Sequence, residues 1–227
     1  MIVSDKSLLK GSAKGAYLNI KCLYSNIPRD MRLHMYRVAE YAQILLQQAR
    51  KSGVWDDSLP RDILTYSKEI FQLHDIGRHY ISVDVYNKVE KLTVEEREEL
   101  KRHTVYALQA EKSVFRAFFP EHIMPYFRQV AVLHHERIDG KGYPYGKKGE
   151  EIPFLAKVCA IADAYDGMVS WKPYKESMTA GRALEVLKSE SGKQFQPELV
   201  ECFVACREEI EQINRKMNGN DKKEASS

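Results

Sequence analysis

Five of the seven histidines in this chain stand where an imidazole can do chemistry: His34, His74, His103, His134 and His135. His74 is followed directly by Asp75, at the end of an apolar helical face and before the glycine break Ile76-Gly77. A carboxylate there opposes the helix dipole unless a cation holds it. Asp163 follows the apolar run Val158-Cys159-Ala160-Ile161-Ala162, where a carboxylate is costly unless paired or coordinated. His134 and His135 close another apolar segment and open into Glu136-Arg137-Ile138-Asp139-Gly140-Lys141-Gly142-Tyr143-Pro144. On a helix, adjacent side chains diverge by about 100°, which suits two neighbouring imidazoles to a pair of metal ions better than to one. Each residue also has a plainer account. His34 fits a satisfied core histidine, Asp30 a helix cap, His103 a solvent-facing residue beside Lys101 and Arg102, and Asp163 a salt bridge. The concentration of five histidines in these segments, with only His79 and His122 elsewhere, favours a metal site. Mixed imidazole and carboxylate donors suit iron, manganese, zinc or nickel.

The elements that must position these residues read as helices. Over 30–50, Val38, Tyr41, Ala42, Leu45 and Ala49 recur at helical spacing, with His34 on the same face. A second helix is expected from Pro60 to Leu73, ending at His74, and a short one at 83–89. Thr93 with Glu96 three residues on predicts a capping box, starting a helix that carries His103 and ends at Pro120. Helices follow at 121–135, 154–169, 178–189 and 197–217. No period-two alternation is long enough for a sheet. The expectation is an all-α, single compact bundle of seven to nine helices at 30–217, after an N-terminal segment at 1–29 that is partly flexible or a short helix. Residues 218–227 are polar and expected to be disordered.

The bulk properties are those of an ordinary globular chain, 44% hydrophobic and 30% charged over 227 residues. A formal net charge of +3 argues against a nucleic-acid polymer or a membrane surface as partner. No apolar run approaches the ~20 residues that cross a bilayer, and residues 1–16 lack the apolar core of a signal peptide. A cytoplasmic location is the default expectation. Cys22, Cys159, Cys202 and Cys206 form no CxxC pair, and Cys202 and Cys206, one helical turn apart, read as small apolar residues, which fits a reduced compartment.

The series His34-x-x-Arg37-Val38, His74-Asp75-Ile76-Gly77, His103, the block from His134 to Pro144, and Asp163-x-x-Asp166 resembles the HD-GYP family, a branch of the HD hydrolase superfamily that cleaves cyclic di-GMP in bacteria. Lys172-Pro173-Tyr174 and Gly192-Lys193-Gln194-Phe195 also look like that family, and the likeness spans about residues 30–205. The resemblance implies an HD-domain bundle with a dinuclear metal site. His34, His74, Asp75 and Asp163 would hold one ion; Asp75 would bridge to a second, held with His103, His134 and His135. A third ion is open, because Asp30 stands four residues before His34, where some members carry a glutamate. Iron or manganese is favoured by the resemblance, with zinc or nickel allowed.

The same resemblance implies hydrolysis of cyclic di-GMP to linear pGpG and onward to GMP, with Asp75 and Arg78 in the catalytic role. Arg78, Arg137, Asp139, Gly140, Gly142, Tyr143, Pro144 and Lys172 would meet the substrate, and the glycine-rich loop would dock a diguanylate cyclase or another protein. Two charged positions depart from the family pattern while keeping their sign: Arg78 replaces a lysine and Lys172 an arginine, which changes the donor geometry offered to phosphate. Ala107 replaces a glycine and Gln196 an aspartate, neither at a ligand position. The alternatives are a phosphohydrolase for another cyclic dinucleotide, or a catalytically weak binding and docking module. Oligomeric state is not legible in the sequence.

Overall fold

The computed structural model describes residues 25, 27–86, 88, 90–113, 119–170 and 177–224, and these contain no strand. They form α1 (Arg29–Lys51), α2 (Ile63–Gln72), α3 (Val83–Tyr86), α4 (Val94–Lys101), α5 (His103–Ser113), α6 (Met124–Leu133), α7 (Phe154–Val169), α8 (Ala180–Ser189), α9 (Pro197–Ala205) and α10 (Arg207–Glu224). A 3-10 turn, Ile76–Tyr80, follows α2 and lies against α5. The all-α expectation is met.

The core forms where the long apolar faces meet. From α1, Met35, Val38, Tyr41, Ala42, Leu45 and Leu46 are fully buried. They pack against α2 and α7, where Val158, Ile161, Ala162 and Tyr165 are buried equally. Tyr165 makes edge-to-face contacts with Tyr41 at 5.3 Å and Phe203 of α9 at 5.1 Å, tying three helices together. Each aromatic pair of this kind adds ~0.5–1.5 kcal/mol beyond area burial.

Several boundaries differ from the periodicity. The helix expected from Pro60 begins at Ile63, because the Pro60 carbonyl closes a turn onto the Ile63 N–H. The Thr93–Glu96 capping box is present in both directions. The helix it starts stops at Lys101, however, and a new one begins at His103. The stretch from 197 is likewise divided at Cys206, and α10 continues through residues 218–224, read above as disordered. Asp30 is not the cap of α1: that position is Pro28, and Asp30 lies in the first turn, where its charge complements the helix dipole. Cys159, Cys202 and Cys206 are buried free thiols. The expectations for residues 1–24, Val114, Lys172 and the last three residues fall outside the described residues.

Candidate metal centre

Asp75 is the meeting point. It is fully buried between α2 and the 3-10 turn, and its two carboxylate oxygens look in different directions. Oδ2 lies 3.6 Å from His34 Nε2 and 3.5 Å from His74 Nε2; Oδ1 lies 3.1 Å from His103 Nε2 and 3.6 Å from His134 Nε2. The donors form two groups: His34, His74 and Asp163 in one; Asp75, His103, His134 and His135 in the other. Asp163 Oδ1 lies 3.2 Å from His34 Nε2, and Oδ2 lies 3.8 Å from His135 Nδ1, so the second carboxylate also faces both groups.

The imidazoles are aimed by their outer nitrogens. Nδ1 of His74 donates to the Phe71 carbonyl at 2.8 Å, that of His103 to Leu100 at 2.6 Å, and that of His134 to Val130 at 3.0 Å. A carbonyl only accepts, so each Nδ1 carries the proton and each Nε2 presents a lone pair inward. The Nε2 atoms of His103 and His134 therefore face each other at 3.5 Å as two acceptors, with a third acceptor, Asp75 Oδ1, beside them. His74 Nε2 and His135 Nε2 are buried with no hydrogen-bond partner. Acceptors converging on acceptors in a buried site fit a cation at the centre.

The protonation states of Asp75, Asp163, His74, His103 and His135 point the same way. Burial acts to raise the Asp75 carboxyl, but Arg78, His74 and His103 outweigh it and hold it well below the ordinary range. Burial likewise opposes the ionised form of Asp163, and His34 and His135 prevail, keeping it low. Burial lowers His74 to about 4, and lowers His103 and His135 as well. Burial also acts to lower His34, but its bonds to Asp163, Asp166 and Asp75 prevail and raise it, so an ion bound there would displace the proton on Nε2. Ionised carboxylates and neutral imidazoles are the donor states a divalent ion requires.

His34, His74, Asp75, His103, His134, His135 and Asp163 are thus brought together. Asp30 is not among them: it is exposed at the start of α1 and belongs to neither group. His103 is 1% exposed, so the solvent-facing account fails. The helix-based expectation for His134 and His135 also fails. Helix α6 ends at Leu133, and both rings turn into the same donor group with centroids 4.1 Å apart. Of the other histidines, His122 pairs with Asp62 at 3.0 Å on the surface, and the His79 ring meets Tyr80.

The following loop is braced from within. Glu136, 3% exposed, accepts the N–H groups of Tyr145 at 2.7 Å and Lys147 at 2.9 Å. A Cβ at Gly142 would lie 2.5 Å from backbone atoms of Arg137 and Glu136, so only glycine fits. The Arg137 guanidinium holds Asp139 through two bonds of 3.0 and 2.8 Å and also reaches Gln194 and Glu190. The Tyr143 ring stacks on His135 at 4.7 Å, and Lys101 Nζ lies 5.6 Å from its centre. Gly140 takes a positive φ of 77°, and Pro144 follows Tyr143 through a cis bond. Arg78 Nε lies 2.6 Å from Asp75 Oδ2, which puts a fixed positive charge at the rim of the centre.

Three contributing residues carry no assignment from the sequence: Arg37, Asp166 and Glu136. Asp166 and Arg37 are both buried, and each stands one helical turn after a donor, which is the sequence signal that marks them. Glu136 gives no comparable signal, because its partners are backbone amides nine and eleven residues ahead.

A helical bundle that closes two facing donor groups around one buried aspartate defines a candidate divalent-metal centre, and residues 69–199 match the HD domain family. The chain belongs to that family. It is 38% identical over 149 residues, 66% of this chain and 39% of the relative, to a cyclic di-GMP phosphodiesterase of Thermotoga maritima. It is 28% identical over 196 residues, 86% of this chain and 35% of the relative, to a 3'3'-cGAMP-specific phosphodiesterase of Vibrio cholerae. Among solved structures, an HDG"Y"P protein from Bdellovibrio bacteriovorus aligns with a TM-score of 0.57 at 18% identity, over 85% of this chain and 60% of that one. The chain spans about two fifths of the length of the curated relatives it matches.

Proposed function

We propose that this chain is a metal-dependent phosphodiesterase that hydrolyses cyclic di-GMP to linear pGpG. The observation that carries the reading is the set of inward lone pairs around Asp75, with one carboxylate oxygen toward each donor group. His34, His74 and Asp163 would hold one divalent ion and His103, His134 and His135 the other, with Asp75 between. When bound, such a pair supplies Lewis acidity toward the phosphate and makes water a competent nucleophile near neutral pH. By resemblance iron or manganese is favoured, and no role falls to Asp30.

The chain's own residues do the remaining work. Asp75 and Asp163 would offset half the charge of two divalent ions, leaving a net positive site that admits an anion. The Arg78 guanidinium, fixed beside Asp75, stabilises the phosphate as negative charge builds on it. Tyr143 on His135 forms a wall against which a guanine can rest. Arg137 and Asp139 are engaged with each other and with the 190–194 turn, so their role is to hold the Gly140–Pro144 loop in shape. Opening one phosphodiester gives linear pGpG, and a second cut would give GMP. The same loop, with Tyr145 exposed beside it, is suited to docking a diguanylate cyclase. A cytoplasmic site of action would go with an intracellular messenger as substrate.

A second reading, hydrolysis of 3'3'-cGAMP, is favoured by the relatives of that specificity that align over most of this chain. The test is chromatography of cyclic di-GMP and cGAMP digests by Mn2+-loaded wild-type protein and Asp75→Ala. The expected outcome is pGpG from wild type and a loss of at least ~100-fold in the variant, the scale for removing a group that stabilises transition-state charge. Equal turnover by both proteins overturns the assignment. Faster turnover of cGAMP selects the second reading.

A further inference from the structure

His34 is aimed differently from the other histidines whose Nδ1 partner is seen. His74, His103 and His134 donate Nδ1–H to a carbonyl three or four residues back on their own segment. The ring of His34 is fixed from another helix: its Nδ1 lies 2.7 Å from Asp166 Oδ2, across 132 positions of sequence. Asp166 is 1% exposed and is itself clamped by Arg37, whose Nε reaches Oδ1 at 2.6 Å and whose second nitrogen reaches Oδ2 at 3.0 Å.

The spacings interlock. Arg37 is one turn after His34 on α1, and Asp166 is one turn after Asp163 on α7. Each helix therefore sends one donor into the centre and one residue into the brace behind it. An ionised carboxylate only accepts, so His34 donates Nδ1–H to Asp166, while Nε2 faces the carboxylates of Asp163 at 3.2 Å and Asp75 at 3.6 Å; with an ion in place of the Nε2 proton, the Asp166 bond keeps the remaining proton on Nδ1.

We infer that Asp166, held by Arg37, is a positioning residue for the first ion: it fixes the tautomer and direction of His34 and makes that ligand depend on the docking of α1 against α7. A carboxylate behind a ligating imidazole also makes the ring a stronger donor than a carbonyl does, and its loss typically costs 10–100-fold in metal affinity. The inference rests on the two-ion reading above, and its test needs no substrate.

The test is titration of metal-free protein with Mn2+ alone, followed by calorimetry, for wild type, Asp166→Asn, His34→Ala and the double variant. Circular dichroism and thermal melts verify that each is folded. Asp166→Asn keeps the shape but can turn its amide toward Nδ1 and favour the wrong tautomer. The expected result is two Mn2+ ions on wild type, and a loss of ~10–100-fold in one of the two affinities for Asp166→Asn. In the His34→Ala background the same change should cost nothing more, because Asp166 acts through His34. If Asp166→Asn does not fold, Arg37→Lys, which keeps the charge but not the fork, should weaken the same equilibrium by a smaller factor. Wild-type affinities in the folded variant, or losses that multiply in the double variant, overturn the inference while leaving the two-ion reading intact. No Mn2+ uptake by wild type overturns both.

Discussion

At the scale of single residues, polar groups here are spent on holding other groups still. Glu136 accepts two loop amides with one buried carboxylate. In Glu136→Gln one acceptor becomes a donor that faces an N–H, a mismatch worth ~1–3 kcal/mol. The expected outcome is a stability loss of that size in urea melts, with amide exchange accelerating first at Tyr145 and Lys147. Asp139 offers a pH signature. Its bond to Arg137 lowers its carboxyl from 3.8 to about 2, with burial opposing. A folded-state value depressed in this way contributes stability that is complete above the unfolded value and lost as pH falls through the folded one. The thermal midpoint of Asp139→Asn should therefore trail wild type by a constant gap above about pH 5, and the gap should close as pH falls from about 4 toward 2. A gap independent of pH would show that the Arg137 pair contributes nothing through charge.

At the scale of elements, the centre depends on how closely the His74–Asp75 segment approaches α5. A Cβ built on Gly77 would overlap the His103 carbonyl and lie 2.6 Å from Ala107 N, both backbone atoms that cannot swing aside. This explains the glycine two residues after Asp75: it lets the 3-10 turn lie on α5, so that Asp75 Oδ1 reaches His103 at 3.1 Å. It also gives Ala107 a context, since that fully buried methyl-bearing residue lines the same contact. Gly77→Ala is expected to destabilise by ~1–3 kcal/mol, the usual cost of forcing atoms into a packed interior. It should weaken Mn2+ binding more than that loss alone accounts for. Denaturant melts beside metal titrations test this, and wild-type metal affinity in the variant would sink the close-approach argument.

At the scale of the whole molecule, the donors come from α1, the end of α2, α5, the segment after α6, and α7. An ion bound there joins most of the bundle and binds the folded state alone, adding ~2.7 kcal/mol of stability at a hundredfold excess over its dissociation constant. Mn2+ should raise the thermal midpoint of wild type, and a chelator should reverse the rise. Asp75→Ala should show little response, and an equal rise in that variant would place the ions elsewhere. Among the described residues no helix is long and apolar enough to cross a membrane.

The sequence by itself determined the all-helical class, the Thr93 capping box, the bounds of α7, and which histidines and aspartates are candidates to meet around Asp75, because helical periodicity, capping chemistry and the company a histidine keeps are local properties. It could not determine where helices break at Arg102 and Cys206, since those breaks answer to packing rather than to a proline or glycine. Nor did spacing along a helix foretell that His134 and His135 share one group, because that follows from α6 ending at Leu133, two residues before the expected end. Only the tertiary structure assigned Asp166 to His34 and Glu136 to the loop: both pairings join residues distant in the chain, and a buried carboxylate discloses its partner only when the partner is in place. The block from His134 to Pro144 therefore names the family, while the geometry around Asp75 and Asp166 decides how the centre is held.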